Sequence, residues 1–135
     1  MKKWIVFLLV LVSCTGHKSD TDWKLVWSDE FNINGLPDTT RWGYDVGYIA
    51  NNELQYYTKR RIENSLIENG NLMIIGRKEP YDTFAYTSAR LLTDGKFNWT
   101  YGKVEARIKL PKGQGIWPAF WMLGQNIHEV GWPKC

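Results

Sequence analysis

Residues Tyr101 to Leu110 read Tyr-Gly-Lys-Val-Glu-Ala-Arg-Ile-Lys-Leu. Gly102, Val104, Ala106, Ile108 and Leu110 fall on one side, and Tyr101, Lys103, Glu105, Arg107 and Lys109 on the other. A period of two belongs to an antiparallel strand with one buried and one solvated face. Three residues further on comes Gly-Gln-Gly-Ile-Trp-Pro-Ala-Phe-Trp-Met-Leu, Gly113 to Leu123. If extended, it sets Trp117, Ala119, Trp121 and Leu123 on one face and Ile116, Pro118, Phe120 and Met122 on the other. Pro118 would break a helix interior but is tolerated at a sheet edge or bulge. At roughly 3.3 Å per residue the two indoles stand about 13 Å apart, a span that suits an extended ligand with repeated flat faces, such as a sugar chain. Residues i and i+4 also share a face on a helix, and a tryptophan pair also suits a core. The spacing alone leaves both readings open.

Upstream, the chain is punctuated in the same way. Trp23 to Trp27 is a short apolar strand candidate, and Asn34-Gly35-Leu36-Pro37-Asp38 is dense turn chemistry. Arg41 to Tyr48 is aromatic and glycine-rich, and Asn51 to Thr58 reads as a strand entered through two asparagines. Ser65 to Ile67 and Leu72 to Ile75 are two strands joined by Glu68-Asn69-Gly70-Asn71, a hairpin signal. Glu79-Pro80-Tyr81-Asp82 breaks the chain, Ala85 to Thr93 resumes it with Arg90 in the middle, and Asp94-Gly95 marks another hairpin turn. Short strands at close intervals, with no helical periodicity after residue 22, predict an all-β sandwich or jelly roll.

The first residues have a different character. Lys2 and Lys3 precede the apolar run Trp4 to Val12, which closes with Leu11-Val12-Ser13-Cys14. That layout is of a secretory signal and is too short for a permanent membrane span. Leu-Val-Ser-Cys resembles the bacterial lipoprotein signal, which implies a signal peptide over 1–13, lipidation at Cys14, and export to a lipid-anchored place on the cell envelope. An ordinary signal peptide with an incidental cysteine is the alternative. The polar stretch 14–22 then reads as a tether and 23–135 as the folded part.

Charge and ligand chemistry exclude several functions. Taking Lys2 and Lys3 from 17 basic residues leaves 15 against 14 acidic ones, so nucleic acid is not an expected partner. Two cysteines, Cys14 and Cys135, and two histidines, His17 and His128, offer no zinc framework and no Ser-His-Asp triad. No catalytic cofactor is expected, and a monomer is.

Six segments in order carry a resemblance: Trp27-Ser28-Asp29-Glu30-Phe31, Asn51 to Thr58, Glu68 to Leu72, Tyr86-Thr87-Ser88-Ala89-Arg90, Tyr101 to Arg107, and Trp117 to Leu123. Together they resemble glycoside hydrolase family 16, and within it the bacterial laminarinases, which are endo-β-1,3-glucanases. The resemblance covers residues 23 to 135 and implies a concanavalin A-like jelly-roll β-sandwich with a glycan cleft, here only its N-terminal half. It implies retaining hydrolysis of internal β-1,3- or mixed-linkage β-1,3-1,4-glucan bonds. The family's catalytic Glu-x-Asp-x-x-Glu motif is not found in the sequence and is expected just beyond Cys135, so this stretch alone is expected to be inactive. Glu53 and Glu105 have no carboxylate partner at usable spacing and read as solvated or salt-bridged surface. The resemblance places Asn51 or Asn52, Arg90, Trp117 and Trp121 in the glycan cleft, with a cross-strand ion pair as the alternative for Arg90. It also implies a structural Ca²⁺ held in part by the backbone carbonyls of Glu30 and Gly70. The competing reading is a non-catalytic glycan-binding jelly roll.

The leader carries its own test. Cys14→Ala is expected to release the protein from the membrane fraction or to leave an unprocessed precursor; normal processing and unchanged fractionation would overturn the anchor.

Overall fold

The computed structural model describes residues 23–135 and is all-β apart from one helical turn. The predicted signal, the Cys14 anchor and the tether lie outside the described residues. Seven strands form three small sheets. β1 (Gly43–Asp45) pairs antiparallel with β7 (Arg90–Leu92). β2 (Gln55–Tyr57) runs parallel to β6 (Phe84–Ser88), which pairs on its other side with β5 (Arg77–Tyr81). β3 (Ser65–Glu68) and β4 (Asn71–Ile74) form a hairpin, and α1 (Ile127–Val130) follows the last irregular stretch.

The β3–β4 hairpin forms as its sequence predicts. Asn69 and Gly70 occupy its turn at φ 52° and 70°, the two left-handed residues that match the twist of the flanking strands. Asn69 N–H also donates to Asn34 Oδ1 at 3.2 Å, and Gly35 bridges Ile67, so the loop before β1 lies along the hairpin.

Four expectations are corrected. The predicted strand Ala85 to Thr93 is two strands of different sheets, broken at the buried Ala89. The Glu79-Pro80-Tyr81-Asp82 break lies later, at Asp82-Thr83. Pro80 sits inside β5, where the register with β6 shifts between Lys78 and Tyr81; β5 is an edge strand, and a proline there costs no ladder bond. Asp94-Gly95 is a turn closed by Lys96 and Phe97 N–H groups on the Thr93 carbonyl, but it joins no hairpin. Trp23 to Trp27 and Tyr101 to Leu123 form no strand, and every residue from Tyr101 to Leu123 is exposed. Alternation specifies which face a strand would bury; a strand also needs a neighbour for its N–H and C=O groups. Among the described residues none is supplied.

The apolar core is correspondingly small. Ile67 and Ala89 are its buried hydrophobics, whereas Thr58, Asn64, Ser65 and Thr87 are buried polar residues. Asn64, fully buried, uses its whole hydrogen-bonding capacity. Its Oδ1 accepts from Thr58 Oγ1 at 2.9 Å and Arg61 at 3.2 Å, and its Nδ2 donates to the Ile75 carbonyl at 3.0 Å and Thr87 Oγ1 at 2.9 Å. Thr87 Oγ1 in turn donates to Glu79, which the Arg61 guanidinium grips through both oxygens at 2.5 and 3.1 Å. Tyr44 OH meets Ser65 Oγ at 2.9 Å. These bonds join elements of all three sheets.

Leaving buried partners unpaired costs about 1 to 3 kcal/mol, so Asn64→Ala is expected to lower stability by at least about 2 kcal/mol in chemical denaturation. The Arg61 and Thr87 hydrogen bonds hold the Glu79 carboxyl at about 2, below its ordinary 4.5. A lowered folded-state pKa stabilises above the unfolded value and is lost as pH falls toward the folded one. Melting temperature should therefore fall between about pH 4.5 and 2, and Glu79→Gln should flatten that dependence; an unaltered slope in the variant would show that other groups carry it.

Candidate functional site

β1 and β7 set the geometry of the candidate site. Their register places Asp45 opposite Arg90, and Asp45 Oδ2 lies 2.9 Å from Arg90 Nε. The cross-strand ion pair foreseen as the alternative for Arg90 is present. It coexists with a second contact, because Arg90 Cζ lies 4.7 Å from the ring centroid of Trp121, within cation–π range. Two of the sequence-derived site residues are thus in contact, although they are far apart in sequence.

The asparagines sit on the neighbouring connection. Just past β1, Gly47 exchanges two backbone hydrogen bonds with Tyr57 of β2. The loop between them turns at Asn51 and Asn52, both exposed and left-handed at φ 62° and 55°, a conformation asparagine tolerates better than most residues. Asn52 N–H donates to Tyr48 OH at 3.0 Å, leaving its side-chain amide outside that contact. Glu53 accepts from Gln55 Nε2 at 3.2 Å. Burial, and then the Glu53 carboxylate, push the Tyr57 phenol above its ordinary value, while Gln55 and Arg90 pull it the other way. Tyr57 therefore senses both Glu53 and Arg90. Sequence reasoning missed Asp45 and Tyr57 as members of this group; Asp45 lies in an aromatic, glycine-rich stretch, and only the strand register reveals its partner.

Trp117 is 75 % exposed and Trp121 50 % exposed, and Phe120 and Met122 at the alternate positions are exposed at 58 % and 61 %. Among the described residues both faces of the stretch are open, with no sheet over either. The described residues set no ring or guanidinium against Trp117. Rings from Phe31 through Trp42, Trp27 and Phe97 to Trp99 form a separate chain with centroids 5.5 to 6.2 Å apart. Two shallow concavities among the described residues also lie away from the candidate site, one along Leu25–Ser28 with Thr40 and Arg41, the other along Lys78–Pro80 and Asp82–Ala85.

Two of the acidic groups are held in ion pairs. Glu79 is held ionised by Arg61, the opposite of what a general acid needs. Glu105 is salt-bridged to Lys103 at 2.9 Å on the surface. No group of three His, Cys, Asp or Glu that could hold a metal occurs among the described residues. The Glu30 and Gly70 carbonyls are hard oxygen donors of the type calcium takes, and the Asn69–Asn34 contact brings their two loops together. Two carbonyls are only a fraction of the six to eight oxygens calcium requires.

Comparison with known proteins places this geometry in context. A family model described as beta-glucan synthesis-associated protein SKN1/KRE6/Sbg1 matches residues 11–133. A beta-glucanase of Rhodothermus marinus is 49 % identical over 142 aligned residues, covering 98 % of this chain and 50 % of its own length. The catalytic domain of an endo-1,3-beta-glucanase (laminarinase) from Thermotoga petrophila superposes with a TM-score of 0.76 at 52 % identity, covering 84 % of this chain and 48 % of that one. A mutant of a non-specific endo-beta-1,3(4)-glucanase from family GH16, co-crystallized with 1,3-beta-D-cellotriosyl-glucose, superposes with a TM-score of 0.58 at 47 % identity, over 61 % of this chain and 36 % of that one. The chain spans about half the length of the curated relative it matches. Matched by that family model over most of its length and about half identical to laminarinases whose all-β architecture it shares, the chain belongs to the SKN1/KRE6/Sbg1 family of the model and to the laminarinase branch of glycoside hydrolase family 16.

Proposed function

We propose that the full-length protein is a retaining endo-glucanase that cleaves internal β-1,3- or mixed-linkage β-1,3-1,4-glucan bonds, and that residues 23–135 supply part of its substrate cleft. The observation that carries this reading is the structural match to a laminarinase catalytic domain over most of the chain. Asn51, Asn52, Arg90, Trp117 and Trp121 are the sugar-binding set: amide and guanidinium groups address hydroxyls, and indole faces stack on the apolar face of a pyranose. Retaining hydrolysis needs two carboxyl groups about 5 to 5.5 Å apart. No such pair is identified here among the described residues, so a Glu-x-Asp-x-x-Glu motif following Cys135 is part of the proposal. Export with a lipid anchor at Cys14, a monomeric state, and a structural Ca²⁺ completed by further ligands beyond the Glu30 and Gly70 carbonyls complete the reading.

A non-catalytic glycan-binding protein is the second reading. The matching family model is described by association with beta-glucan synthesis and names no hydrolysis.

The full-length protein incubated with laminarin is expected to release reducing ends, with the β-anomer appearing first by NMR. Binding without release would favour the second reading. Trp117→Ala in a catalytically disabled form should weaken oligosaccharide binding while moving the melting temperature by no more than a few degrees, because an indole in a glycan cleft loses little folding burial when truncated.

A further inference from the structure

Trp121 lies in a stretch without ladder bonds among the described residues. Among the described residues the Arg90 guanidinium lies over its ring, with Cζ 4.7 Å from the centroid. That guanidinium is not free to wander. Asp45, fixed opposite it in the β1–β7 register, holds Nε at 2.9 Å, with the two side chains 35 % and 24 % exposed. An arginine on a flexible stem loses much rotamer freedom when ordered, and a carboxylate in fixed register restricts it before any ligand arrives. The ion pair uses the edge of the guanidinium, which leaves its planar face for aromatic contact.

We propose that Asp45 is a positioning residue for glycan recognition: by holding Arg90 across the β1–β7 pair, it fixes the Trp121 indole for stacking on a sugar ring. This rests on the glucan-binding reading of Trp121 given above. An ion pair that only joined two strands would stabilise β1–β7 and leave the indole unaffected.

The test uses the full-length, catalytically disabled protein and a β-1,3-gluco-oligosaccharide, with calorimetry and near-ultraviolet circular dichroism. The Trp121 band is assigned from the difference spectrum of Trp121→Ala. Asp45→Asn is expected to diminish that band and to weaken binding roughly two- to fivefold, the range of one partly exposed cation–π contact. In a Trp121→Ala background, Asp45→Asn should cause no additional loss. Arg90→Lys keeps the charge opposite Asp45 and removes the flat face, so it should diminish the Trp121 band even if Asp45→Asn folds poorly; only the band is read in this variant, because the guanidinium also addresses the sugar directly. An unchanged Trp121 band, or an equal loss in the Trp121→Ala background, overturns the positioning role while leaving the cleft assignment standing. Normal binding by Trp121→Ala itself overturns the glucan-binding role of Trp121 and this inference with it.

Discussion

The described fold hangs on one buried amide. Asn64 spends all four of its hydrogen-bonding sites on Thr58, Arg61, Ile75 and Thr87, and these partners belong to different sheets or to their flanks. Thr87 passes the connection to Glu79 on β5, and Ser65 passes it through Tyr44 to β1. Ile67, Ala89 and Pro37 are buried apolar residues, and the Gly47–Tyr57 backbone pair adds a further tie between sheets. A fully satisfied polar network of this kind specifies one arrangement, because every alternative strands a buried donor or acceptor. No buried side-chain polar atom among the described residues lacks a partner.

The candidate site inherits its precision from that arrangement. Tyr44, tied to Ser65, immediately precedes Asp45 on β1, so the network fixes the strand that presents the carboxylate to Arg90. From Arg90 the constraint passes to Trp121 through a cation–π contact. Gly47 and Tyr57 bring the Asn51-Asn52 turn alongside. A rigid polar framework and an exposed aromatic rim perform different tasks: one sets positions, and the other offers flat apolar faces to a ligand.

The long exposed stretch shows what pairing contributes. Tyr101 to Leu110 alternates as strictly as any strand, yet its apolar side chains Val104, Ile108 and Leu110 are 37, 52 and 58 % exposed. Its alternation is that of a sheet surface, and its exposure follows from having no ladder partner among the described residues.

The sequence by itself determined the fold class, the family and the local turns. Alternation, turn residues and motif order are properties of neighbouring positions, which is why the Asn69-Gly70 hairpin was legible. It also named Arg90 and Trp121. Tertiary structure alone decided that Ala85 to Thr93 divides between two sheets, that Pro80 sits within an edge strand, that Asn64 and Thr87 are core residues, and that Asp45 faces Arg90. The reason is physical: polarity and spacing show what a side chain can bond, but a buried asparagine and a solvated one look alike in sequence. Which partner satisfies it depends on strand register between residues tens of positions apart, and that is settled only when the chain folds.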